Sequence, residues 1–371
     1  MSVFNADKNR LNTAIGRWAG VGPYYAMFPV TFAFDVVQRY CPVGGAVLDP
    51  FAGRGSSIYA AVTTGRYGYG IEINKVGWLY TRVKLSPAPL EDVLRRNFEI
   101  GDIAEQFDDS LTEGLPIFFY HCFSKRILKY LLIAQKYLDW QLNITDSTLM
   151  AIILIYLHGN MGRALSNQMR QSKAMAPDYS INWWREKDFR APDFSPQEFL
   201  GKRINWRYAK GIPENHTGFV HLGDSIQHLE ELILRIKMSE LPKFTLLFTS
   251  PPYYNVTSYH YDQWLRLWML GEGTTPAKSG GQFQNGFWSK DSYFTLLDSV
   301  FRQSAKLLDD RAIILVRTDQ RQFTKHTTID ILKKIFPNKE IKITASEVRI
   351  SQTALFGDKT IKPGEVDILL F

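Results

Sequence analysis

Between Ala46 and Asn74 the chain runs through an apolar strand, a glycine-containing loop, a small-residue helix and a second strand, an order few folds accept. "AVLD" is followed by "PFAGRG", then by "SSIYAAVTT" ended at Gly65, then by "YGYGIEIN". Two neighbouring strands joined by a helix run parallel, and the crossover is right-handed. The same grammar returns later: "GFVHLGD", a helix over Ser225 to Lys237 with Ile226, Leu229, Ile233 and Ile236 on one face, and the apolar strand Phe244 to Phe248. A helix near 293 to 308 and the strand "AIILVRT" follow, and "KITASEVRI" and "EVDILLF" close the chain as an antiparallel hairpin. The expected fold is α/β: a doubly wound, Rossmann-like sheet built from residues 1–105 and 216–371, with a mostly helical insert over 106–215.

Two loops of this scaffold carry chemistry. In Asp49-Pro50-Phe51-Ala52-Gly53-Arg54-Gly55-Ser56-Ser57 the glycines let backbone approach a ligand at the start of a helix. Glu72 lies 23 residues after Asp49 at the end of the next strand, where an acid can hold a ribose diol. Ile58 stands where a dinucleotide fingerprint has its third glycine. A cofactor with a pyrophosphate to cradle is disfavoured against a nucleoside without phosphates, such as S-adenosylmethionine. The second loop is "TSPPYYN", 249 to 255, where two prolines end a buried strand and two tyrosines follow.

Composition narrows the partners. A net charge of +7 and a pI near 9.1 favour a polyanion. Two cysteines and seven scattered histidines offer no disulfide framework and no metal-ligand spacing. No signal peptide opens the chain, and the longest apolar run, Leu149 to Leu157, is too short to span a bilayer, so a cytoplasmic protein without metal is expected. The sequon at Asn143 reads as chance. Residues 161 to 215 hold ten Lys or Arg against six Asp or Glu, a small excess, but Asn167, Gln168, Arg170 and Gln171 are side chains of the kind that read base edges, and Lys173 suits a phosphate. A solvated helix face would look similar. The cluster Tyr259, Tyr261, Trp264 and Trp268 reads first as core. "GEGTTPAKSGGQFQNG" reads as a surface loop or a loop closing over substrate.

"VLDPFAGRGSS", "GIEIN" and "TSPPYYN" resemble motifs I, II and IV of the S-adenosylmethionine-dependent amino-methyltransferases that modify cytosine N4 or adenine N6 in DNA. "FPVTFAFDVV" is similar to their motif X, and "HLGDSIQHLEEL" to the acidic segment before motif IV. The resemblance covers the outer two-thirds of the chain and leaves the insert unmatched. The block order resembles the α arrangement, while the wording is closer to the β group. The resemblance implies S-adenosylmethionine as cofactor, held by Asp49, Pro50, Phe51, Ala52, Gly53, Gly55, Ser56, Glu72, Ile73 and Asp224. Asp224 could equally cap the helix that follows it, and Asp102 is its rival for the cofactor adenine.

The exocyclic amine of a base is a poor nucleophile, because its lone pair is delocalised into the ring. Acceptors around its N–H groups draw the nitrogen toward tetrahedral geometry. By resemblance, Ser250 Oγ and a carbonyl at Ser250 or Pro251 are those acceptors. Pro251 and Pro252 make a rigid rim without donors, and Tyr253 offers a ring for the base to stack on, so phenylalanine at 253 is expected to suffice. A base in a duplex must be flipped out to reach such a pocket, at roughly a few kcal/mol. Serine before the prolines resembles the cytosine-N4 members. The expected function is cytosine-N4 methylation of double-stranded DNA at a specific sequence, with a cognate restriction endonuclease as a candidate companion. Adenine-N6 methylation, RNA base methylation and a non-catalytic nucleic-acid-binding module are the alternatives.

Overall fold

The computed structural model describes residues 10–23, 28–214, 217–254, 259–276, 289–345 and 364–371. Seven strands form one sheet: β1 (Ala46–Asp49), β2 (Tyr67–Glu72), β3 (Gly218–Leu222), β4 (Phe244–Thr249), β5 (Leu308–Asp319), β6 (Ile341–Ala345) and β7 (Glu365–Leu370). Their order is β3-β2-β1-β4-β5-β7-β6. The first five strands are mutually parallel, and β7 pairs antiparallel with both β5 and β6. The sheet is therefore the doubly wound α/β one expected, including the antiparallel C-terminal pair. The part of "KITASEVRI" after Ala345 lies outside the described residues.

The sheet works because alternate residues feed two cores. Val47, Leu246, Phe248 and Leu315 point into one apolar cluster, while Leu48, Leu247, Ile314 and Val316 belong to the other. The second core is closed by helices Ser225–Lys237, Lys290–Leu307 and Gln322–Ile335, through Leu229, Leu297 and Leu332. The first takes in helices Val30–Tyr40 and Lys75–Leu85 and also the insert, whose Ile127, Leu131, Ile153 and Leu200 are buried in the same cluster as Val47. The insert is thus a thick helical layer on one face of the sheet. Helix Leu90–Gln106 packs against helices Lys125–Tyr137, Ile144–Tyr156 and Pro196–Tyr208, so that layer also draws on residues before 106.

Local choices agree with this plan. A Cβ on Gly68 would stand 2.7 Å from Ile58 Cγ2, so glycine in β2 is what lets helix Ser56–Val62 lie close on the sheet. Asn143 caps helix Ile144–Tyr156, its Oδ1 accepting from the Thr145 and Asp146 amides, which accounts for the sequon structurally. Trp264 and Trp268 are buried against Phe118, Phe119 and Phe123, as a core reading of that cluster expects; the side chain of Tyr259 lies outside the described residues.

Candidate active site

The strand order reverses between β1 and β4: from β1 the sheet grows one way to β2 and β3, and from β4 the other way to β5 and β7. Ligands of open α/β sheets bind beyond the carboxyl ends of the strands at such a reversal. Both chemical loops leave the sheet there, one after Asp49 and one after Thr249. They are bonded to each other: Thr249 Oγ1 donates to Asp49 Oδ1 at 2.6 Å.

On the β1 side two acids order the loop. Asp49 is buried and accepts from the Ser57 hydroxyl, from Thr249 and from the Phe51 amide at 3.1 Å. Burial pushes its carboxyl up to about 6, against the pull of those donors. Glu72, ending β2, accepts from the Gly53 amide at 2.6 Å through Oε2 and from the Asn74 amide at 2.7 Å through Oε1. Burial pushes it up to about 7, with the amides opposing and Asp49 adding a smaller push. Gly53 and Gly55 have φ of +55° and +69°. A Cβ on Gly53 would enter open space, whereas one on Gly55 would run into Thr81. Pro50, Ala52, Gly55 and Ser56 are buried in the loop, Phe51 is half-buried, and Ile73, just past Glu72, is 41% exposed at the rim. Asp224 caps helix Ser225–Lys237, accepting from the Ile226 amide at 2.8 Å and the Gln227 amide at 3.3 Å. The capping role is thus observed; Asp102 sits on the exposed face of Leu90–Gln106.

On the β4 side, Ser250, Pro252 and Tyr253 are half-buried and Pro251 is buried. The Ser250 hydroxyl lies 3.4 Å from the Tyr253 hydroxyl, which in turn lies 3.2 Å from Glu365 Oε1 at the start of β7. Arg317 of β5 faces Glu365 at 3.4 Å and is gripped by both oxygens of Asp367, at 2.7 and 2.8 Å. Its guanidinium sits 3.5 Å from the centre of the Phe32 ring, and Phe28 stacks on Phe248 at 4.5 Å. Tyr254 turns into an aromatic group with Tyr293 and Phe323, and its carbonyl accepts from Arg321 at 3.2 Å. Arg317, Glu365 and Asp367 escape a sequence reading because they stand at alternate positions of ordinary-looking strands. Only the antiparallel register Arg317↔Asp367 brings them together. Asn255 lies outside the described residues.

The basic part of the insert is divided by its surroundings. Asn167 is buried, its amide donating to the His121 and Phe189 carbonyls at 3.1 Å each and its Oδ1 accepting from the Gln168 amide, so it braces a loop and does not face a base edge. This corrects the expectation for Asn167: a side chain already satisfied internally reads nothing outside. Arg170 is exposed. Lys173 pairs with buried Asp262 at 2.7 Å. The whole stretch 171–175 is laced to 262–266: Ala174 N donates to Asp262 O at 2.9 Å, Gln263 Nε2 to Ser172 O at 3.1 Å, and Trp264 Nε1 to Met175 O at 3.2 Å. Buried Arg266 adds bonds to the carbonyls of Gln171 and Leu154, at 2.5 and 2.9 Å.

A family model described as DNA methylase matches residues 3–77, which takes in the Val30–Tyr40 helix, the glycine loop and Glu72 and stops well before Ser250. No curated protein matches the chain. Two solved structures of the rRNA methyltransferase aviRa from Streptomyces viridochromogenes align over 100% of this chain and 94% of theirs, at 15% and 14% identity, each with a TM-score of 0.36. So low an overlap carries nothing about substrate. The family match spans about a fifth of the chain and supports a likeness to DNA methylases over that N-terminal segment. Among the described residues no helix is long and apolar enough to cross a membrane, and no group of three or more His, Cys, Asp or Glu could hold a metal ion.

Proposed function

We propose that this protein methylates the exocyclic N4 amine of a cytosine flipped out of double-stranded DNA. The observation that carries the reading is the meeting of the glycine loop, Glu72 and "TSPPY" at the sheet's reversal point, tied by the Thr249–Asp49 bond. S-adenosylmethionine would supply an electrophilic methyl on a sulfonium. The chain's residues fit it. Gly53 leaves backbone open to a ligand, and Glu72 keeps lone pairs for a diol after accepting two amides, since an ionised carboxylate has about four acceptor positions. Exposed Ile73 offers an apolar face beside that acid. Phe51, Ser56 and the Asp224 segment complete the surround.

At the other end Ser250 Oγ and the Ser250 or Pro251 carbonyl accept from the amine, and Pro251 and Pro252 keep competing donors away. The Tyr253 ring takes the base, returning roughly 1–3 kcal/mol of the flipping cost. Arg170 sits on a loop fixed to the segment that follows this pocket, which supports the insert, residues 106–215, as the DNA-recognition region, with Lys173 as a tether of that loop. A restriction endonuclease acting on the same sequence would be a natural companion.

Expression in a host without N4-methylcytosine, followed by digestion of its DNA to nucleosides and mass analysis, tests the reading. N4-methylcytosine is expected. N6-methyladenine alone would move the substrate to adenine, and methylated transfer RNA with unmodified DNA would move it to RNA.

A further inference from the structure

We propose that Glu365 ends a proton relay that leaves the pocket through Ser250 and Tyr253. The inference rests on the amino-methyltransferase reading and adds to it the destination of the proton that the reaction releases.

When the amine nitrogen forms its bond to the methyl carbon, the carbon–sulfur bond breaks and its electron pair stays on sulfur. The nitrogen is left positively charged with one proton too many. A carboxylate before the two prolines could take that proton directly; Ser250 cannot keep it, since a serine hydroxyl is a very weak base. The structure supplies a carboxylate two hydrogen bonds away. Glu365, ionised, can only accept, so the Tyr253 hydroxyl at 3.2 Å must donate to it. Tyrosine has a single hydroxyl proton, so in its bond with Ser250, 3.4 Å away, the serine is the donor. That polarity leaves the lone pairs of Ser250 Oγ for the amine. It also points every proton of the chain away from the base. Ser250 takes the proton from nitrogen as its own passes to Tyr253 and that of Tyr253 passes to Glu365. Each hydroxyl ends as it began, and one carboxyl is protonated. Both spacings are long for O–H···O bonds, as is common in catalytic hydrogen bonds before substrate is in place.

The surroundings fit a base that must be ionised and yet willing to take a proton. Burial raises the Glu365 carboxyl above the ordinary range; Arg317 and Tyr253 oppose this, and Asp367 and Asp319 add to it. Arg317 is shared with Asp367, which holds it by two bonds, so only part of its charge serves Glu365. Glu365 touches no substrate. It is a positioning residue acting through Tyr253.

The experiment uses the full chain, unmodified plasmid DNA and labelled S-adenosylmethionine in single turnovers at saturating cofactor, across pH 5.5–9 as a working range of roughly the span over which such groups titrate. Stacking alone would let phenylalanine suffice at 253, but the hydroxyl contacts to Ser250 and Glu365 reverse that expectation: Glu365→Gln and Tyr253→Phe should each slow methyl transfer by roughly 10²-fold, as for loss of a general base, with cofactor and DNA affinity and thermal melting unchanged. Both should lose the fall in rate that the wild type shows toward acid as Glu365 protonates. Should Glu365→Gln fail to fold, Tyr253→Phe decides, since it leaves Arg317, Glu365 and Asp367 in place. Either folded variant within about twofold of wild type, or slowed but keeping the wild-type acid limb, overturns the relay. A wild type that methylates neither DNA nor transfer RNA removes the amino-methyltransferase reading and the relay with it. That outcome is distinct from an active wild type with active variants, which removes the relay alone.

Discussion

The two sides of the cleft solve the burial of acids in opposite ways. On the β1 side Asp49 and Glu72 are held by hydroxyls and backbone amides, with no cation among their hydrogen-bond partners in the described residues, and both are raised by burial, to about 6 and about 7. On the β4 side Glu365 and Asp367 share Arg317, which is itself stacked on Phe32. The first arrangement leaves a carboxylate ready to be claimed by a ligand that donates hydrogen bonds. The second neutralises charge inside the protein and frees one acid to serve its neighbour Tyr253.

The largest effect that separates the two sides is on stability. Arg317→Met strips the cation from two half-buried acids and should cost about 3 kcal/mol in urea unfolding, the low end for breaking a buried pair because Glu365 and Asp367 keep some solvent. Ser250→Ala comes next. It removes one acceptor and leaves the carbonyl, so turnover should fall roughly 10²–10³-fold while the calorimetric affinity for S-adenosylmethionine stays put; an unchanged turnover would remove Ser250 from the chemistry.

Glu72 gives a smaller effect with a defined sign. A diol donates to the ionised carboxylate, so cofactor affinity should rise roughly tenfold from about pH 6 to about pH 8 as the acid passes through about 7. The free chain should behave in reverse. An acid raised by folding stabilises the fold below its unfolded value, and that stability is lost as pH rises to about 7. Glu72→Ala should abolish the pH dependence of binding and weaken it by roughly 1–3 kcal/mol. The smallest effect tests the insert: Arg170→Ala should reduce the salt slope of DNA binding by about one phosphate contact, whereas Lys173→Ala should chiefly loosen the tether to Asp262. Unchanged slopes in both would move DNA recognition away from this loop.

Much of this architecture could be read directly from the chain, because a parallel sheet writes itself as short apolar runs between glycine-bearing loops. Ala46–Asp49 and Phe244–Thr249 were legible for that reason. The places of Asp49, Glu72 and Ser250, at or just past the ends of such runs, were legible as well. Arg317, Glu365 and Asp367 were not. Their significance lies in a pairing across 50 residues that a list of side chains does not contain. Asn167 misled for the opposite reason: a polar residue in a basic stretch looks available until its amide is seen to be spent on His121 and Phe189. The closing of the first core by the insert was also hidden, because Ile127 or Leu200 reads as the core of a helical bundle whichever partner it packs on.

The stitching of 171–175 to 262–266 has a consequence for how such an enzyme could change its target. On the proposed reading, the loop that meets the bases and the segment behind the pocket form one rigid ruler. Substitutions at its exposed positions would alter which letters are read. They would leave untouched the number of base pairs between those letters and the modified one. New specificities would therefore arise with the methylated position fixed within the site, and a changed offset would require the lacing itself to be rebuilt.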